Sequence, residues 1–151
     1  MADYQSKIFL KIQIHIGNQL TLKQYPELIL LKRPDEEDDI MQKLGYEEIL
    51  IRWINYHIAK NGGDKKVSNL GKDLCDGYGY GHVLQNVSNH WDKAYWDQTV
   101  EERYTSIIKM CNSDGIKTSV QAKDILSGNP RLNAILLAEI FNDRHGLVLP
   151  K

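Results

Sequence analysis

A helix that is apolar on nearly every side must sit among other helices, and residues 131–144 read as such a helix. Leu132, Ala134, Ile135, Leu136, Leu137, Ala138, Ile140 and Phe141 leave it little polar surface, the pattern of a buried central helix. Its start is marked twice: Asn129 is a good N-cap and Pro130 a good first helical residue. Everything else in the chain has to supply the layer that covers it.

That layer is also helical. Across Tyr46–Lys60, Ile49, Leu50, Trp53, Ile54, His57 and Ile58 recur at helical spacing, and Asn61-Gly62-Gly63 stops the run. At 100° per residue Trp53 and His57 fall in the middle of the apolar stripe, while Glu48, Arg52, Asn55 and Ala59 fall on the opposite, solvent face. Residues 35–44 carry acids first and Lys43 last, as a helix dipole favours. Residues 83–87 look helical behind a glycine-rich approach. Thr99 and Glu102 form a capping box for a helix with Val100, Tyr104, Ile107, Ile108 and Cys111 on one face. Thr118 and Gln121 suggest a second box before a short helix that Ser127-Gly128 closes. No alternating strand competes, so the fold is read as all-α.

The 151 residues suit one domain, and 19 basic against 20 acidic side chains give a net charge of −1. No global basic field points to nucleic acid or an anionic membrane surface, and no run is long enough to span a bilayer. Charge is unevenly spread, with a balance of −4 over residues 32–48 and +3 over residues 60–72, the pattern of solvated faces. Two cysteines, Cys75 and Cys111, make neither a disulfide framework nor a zinc pattern. A reduced, cytoplasmic setting is therefore expected.

Little in the chain advertises catalysis. Gly77-Tyr78-Gly79-Tyr80-Gly81 lacks the strand and spacing of a phosphate-binding loop. The run Asp35-Glu36-Glu37-Asp38-Asp39 lacks the alternating ligands and turn glycine of a calcium loop. The five histidines show no metal-binding spacing; His57 reads as a core histidine and Cys111 as a buried thiol. No metal, cofactor or catalytic residue is expected, and a rigid helical module with charged faces is the profile of a binding domain.

Two segments carry a more specific pattern: Ile49-Leu50-Ile51-Arg52-Trp53-Ile54-Asn55-Tyr56-His57-Ile58, and Asp124-Ile125-Leu126-Ser127-Gly128-Asn129-Pro130-Arg131-Leu132-Asn133 followed by Ala138-Glu139-Ile140-Phe141-Asn142. Together they resemble the calponin-homology domain, and more narrowly the second of the four such domains in the fimbrin (plastin) family. Tyr25-Pro26-Glu27-Leu28, Val67-Ser68-Asn69-Leu70 and Asp76 through Leu84 support the likeness, which covers about residues 8–147. Trp53, His57, Gly128, Asn129 and Pro130 are its core residues. Gly79 and Gly81 depart from the family pattern, and each would cost about 1 kcal/mol inside a helix. Residues 90–98, with Trp91, Tyr95 and Trp96, align poorly with the family, and local packing is the expected role of these aromatics.

The resemblance implies a calponin-homology fold: about four main helices packed as a bundle, with two or three short ones, over residues 24–149. Residues 1–23 resemble the end of a preceding domain's last helix. It also implies binding to filamentous actin within a crosslinking or bundling protein, weak for this domain alone, with neighbouring calponin-homology domains as further partners. The alternative is a docking module that packs on a neighbouring domain or binds a microtubule or signalling protein. The family places a filament contact on and after the Trp helix, so Arg52, Asn55, Tyr56, Lys60, Lys65 and Lys66 are the expected actin-binding residues.

Overall fold

The computed structural model describes residues 26–150. In chain order its α-helices are α1 (Ile40–Lys43), α2 (Tyr46–Lys60), α3 (Tyr78–Val87), α4 (Val100–Ser113), α5 (Ala122–Leu126) and α6 (Pro130–Asp143). Short 3-10 turns lie at Pro26–Leu31, Lys72–Leu74 and Tyr95–Asp97. Among the described residues there is no strand. The four long helices α2, α3, α4 and α6 form the bundle that the all-α reading expects. The segment 1–23 and Tyr25 lie outside the described residues.

Helix α6 is the buried centre. Ala134, Ile135, Leu136, Leu137, Ala138, Ile140 and Phe141 are all essentially sealed from solvent, and full burial of a large aliphatic or aromatic side chain contributes about 1.5–3 kcal/mol. The Asn129 side chain accepts from the N–H groups of Arg131 and Leu132, at 2.9 and 3.2 Å, which satisfies two of the helix's orphan donors. Gly128 holds φ +68°, and a Cβ there would press on Cys75 Sγ at 2.7 Å, so both backbone and space call for glycine. One polar residue of α6, Asn133, is buried but paired: it accepts from Tyr80 Oη and donates to the Leu70 carbonyl, each at 2.7 Å.

Helix α2 and the Thr99–Glu102 capping box of α4 form as the sequence indicates. Three elements differ. The acidic run 35–39 does not open a long helix; only Ile40–Lys43 is helical. Glu36 instead accepts from the Arg33 N–H at 2.8 Å and turns its carboxylate to Arg52, an ion pair that holds this stretch as a turn. The second capping box lies three residues later, with Gln121 as N-cap and Asp124 as its partner. Thr118 bonds Asn112 instead, at 3.4 Å.

The third difference is the glycine-rich stretch, which is the first turn of α3 itself rather than a loose approach to it. A Cβ on Gly81 would lie 2.6 Å from Trp96 Cη2 and closer still to the Tyr95 ring. Absent side chains therefore let α3 approach the 90–98 segment, and this close packing offsets the low helix propensity of glycine. The aromatics of that segment pack locally, as expected. Tyr95 is buried and donates its hydroxyl to the Gly77 carbonyl. Trp96 lies edge-on to Tyr95 at 5.0 Å. Arg103 covers both rings at 5.4 Å and donates to the carbonyls of Asp76, Tyr95 and Trp96.

Candidate functional site

Helix α2 positions the candidate residues, and its two faces are both in use. On the inner face Trp53 is fully buried, 5.1 Å edge-to-face from Phe141. Its Nε1 donates to the His145 carbonyl at 2.7 Å. His57, also fully buried, meets the same carbonyl through Nε2 at 2.9 Å and Asn86 through Nδ1 at 2.9 Å. These partners assign the proton to Nε2, with Nδ1 accepting from the Asn86 amide. Burial holds the imidazole neutral, its pKa pushed down to about 4. Trp53 and His57 thus tie the chain after α6 back onto α2.

The opposite face is not the solvent face that the helical wheel predicts. Arg52 is buried rather than exposed. Its guanidinium grips both Glu36 carboxylate oxygens at 2.7 Å, donates to the Leu31 carbonyl at 3.1 Å, and bonds Glu48 through Nε at 3.0 Å. These bonds, the Glu36 one foremost, raise the Arg52 pKa further, and the same pairing holds the Glu36 carboxyl down to about 2. Asn55, half-buried, spends its amide on one residue: Nδ2 donates to the Val67 carbonyl at 2.9 Å, and Oδ1 accepts from the Val67 N–H at 2.8 Å. Arg52 and Asn55 therefore serve the fold directly. A helical wheel sees one helix; it cannot see the turn at 33–36 and the chain at 67 that cover this face.

The remaining candidates stand further out. Tyr56 is half-buried, its ring edge-on to His57 at 5.3 Å. Lys60, Lys65 and Lys66 are exposed, and none forms an ion pair among the described residues. The loop that carries Lys65 and Lys66 is held on Tyr78. The Lys65 N–H donates to Tyr78 Oη at 3.5 Å, and Lys65 Nζ sits 5.3 Å from the ring centre. Tyr78 packs on His82, 4.6 Å away, and His82 is bonded by Asn61 at the end of α2.

Lys65, Lys66, Lys72, Asp73, Asp76 and Tyr78 help line an open cleft of about 390 Å³. Lys72 and Tyr78 are additions that sequence reasoning missed. A lone lysine six residues from its neighbours carries no local signal, although the +3 balance of residues 60–72 included it. Among the described residues no group of three or more His, Cys, Asp or Glu side chains is placed to hold a metal ion. No helix among them is long and apolar enough to cross a membrane. The surface offers fixed positive charge and hydrogen-bond donors, which suits an acidic partner.

The sequence profile of the calponin homology (CH) domain matches residues 44–145. Fimbrin-4 of Arabidopsis thaliana is 30% identical over 142 residues, 93% of this chain and 22% of that protein. Plastin-1 of Gallus gallus is 29% identical over 150 residues, 92% of this chain and 24% of that protein. The crystal structure of the actin-crosslinking core of Schizosaccharomyces pombe fimbrin is similar with a TM-score of 0.65 at 26% identity, over 83% of this chain and 25% of that one. The chain spans about a quarter of the length of these relatives.

Proposed function

Because the chain belongs to the calponin homology domain family, a non-enzymatic one, we propose that it is an actin-filament-binding module of a fimbrin-like crosslinking protein, of low affinity on its own. The observation that carries this reading is its similarity to the actin-crosslinking core of a fimbrin. The exposed, unpaired lysines of the loop after α2 support it, since a positive, pre-ordered surface suits an acidic filament. Within this reading Lys60, Lys65, Lys66 and Tyr56 face the filament, with Lys72 added. Arg52 and Asn55 support them from beneath. Neighbouring CH domains and a place on the cytoplasmic actin cytoskeleton belong to the same proposal.

Co-sedimentation of the chain with filamentous actin, at high filament concentration and two salt concentrations, tests it. Weak pelleting that falls with salt is expected, and charge reversal by Lys65→Glu with Lys66→Glu lowers affinity roughly tenfold. The melting temperature stays unchanged, because both side chains are exposed and unpaired. Pelleting indifferent to the reversal removes the loop from the site. A chain that never pellets sinks the reading.

A further inference from the structure

Asn55 was expected to touch the partner, yet its amide is turned to its own chain. Among the described residues nothing else bonds the Val67 N–H or carbonyl. Asn55 meets both, and it projects from a rigid helix (α2) that is anchored at Trp53 and Arg52. The chain between Gly63 and Val67 is thus an arc with fastened ends. Gly63 N donates to the Ile58 carbonyl at 2.9 Å at one end, Asn55 holds Val67 at the other, and Tyr78 props Lys65 between them. Beyond the arc the Ser68 N–H is taken by Asp73 at 2.9 Å. Long lysine side chains lose entropy on binding, and a loop already ordered loses less.

We propose that Asn55 is the positioning residue of the basic surface: it acts on a filament through the main chain of Val67, which it holds so that Lys65 and Lys66 present their charge from one fixed loop. This rests on the actin reading above. Asn55 makes no contact of its own with the partner, so its influence vanishes once the lysines are gone.

Two readouts on the same chain test the assignment: amide hydrogen exchange at Val67, and co-sedimentation with filamentous actin. Both are applied to Asn55→Ala and Asn55→Asp, each with and without Lys65→Ala plus Lys66→Ala. Asn55→Ala speeds exchange at Val67 and weakens pelleting about fivefold, with no further loss in the lysine-free background. Asn55→Asp keeps an acceptor for the Val67 N–H but sets a carboxylate against the Val67 carbonyl. It therefore falls between wild type and Asn55→Ala, and it carries the cycle if Asn55→Ala does not fold. Equal losses in both backgrounds overturn the inference in favour of direct contact, and unchanged exchange at Val67 overturns the clamp. A wild-type chain that does not pellet removes the binding reading and the positioning role together, while the exchange data still judge the clamp.

Discussion

The two faces of α2 perform the same task with different chemistry. On the inner face Trp53 and His57 send neutral N–H groups to one carbonyl, that of His145, at 2.7 and 2.9 Å. On the outer face Arg52 and Asn55 reach Glu36, the Leu31 carbonyl and Val67, using a full charge in one case and a primary amide in the other. Each face fastens a distant stretch of chain to the same helix. The inner fastening is apolar, so its weakness is loss of volume or arrival of a proton. The outer one borders water, so losing one partner leaves groups that solvent can reach.

Truncation separates the faces most. Trp53→Ala should destabilise the domain by about 3–5 kcal/mol in urea unfolding, through the cavity and the lost bond to His145. Loss of much less than this would mean that the inner fastening is not what holds the chain after α6.

Acidification comes next. The folded His57 pKa of about 4 lies below its model value of 6.5, so the unfolded state binds the proton first. The stability associated with neutral His57 is complete above pH 6.5 and is lost as pH falls towards 4, about 3 kcal/mol in all. His57→Gln should flatten that slope. If the slope between pH 6.5 and 4.5 persists in this variant, another group is responsible.

The outer face gives the smallest effect and a different window. The Glu36 carboxyl is held at about 2 against a model value of 4.5, so its contribution is present above pH 4.5 and lost only as pH falls towards 2. Glu36→Gln should leave the curve above pH 4.5 parallel to wild type and flatten it below. Its drop in melting temperature at neutral pH should be smaller than that of Trp53→Ala. A larger drop would reverse the ranking of the two faces.

Much of this architecture was legible in the chain. Asn129-Pro130 and the apolar run after it located α6, and the 3.6-residue recurrence around Trp53 located α2 to the residue. His57 and Cys111 were read as core, and both are buried. Burial also pushes the Cys111 thiol up to about 12, which leaves it inert at neutral pH. Less of the candidate surface was legible. Lys65 and Lys66 are exposed as expected, but Arg52 and Asn55 are not the open contacts that their wheel positions suggest. Their roles depend on Glu36, 16 residues upstream of Arg52, and on Val67, 12 residues downstream of Asn55.

What the sequence by itself determined is local: where helices begin, which stripe of each is apolar, and which residues cap them. Those properties rest on backbone donors, side-chain volume and 100° spacing within a dozen residues. Tertiary structure alone decided the rest. It made Gly79 and Gly81 helical, because Cβ-free positions let α3 close on its neighbours. It cut the acidic helix short, because a carboxylate near Arg52 gains more from a bidentate pair than from a helix dipole. And it turned the polar face of α2 inward, since polarity shows only that a side chain needs partners, and packing determines whether water or distant chain supplies them.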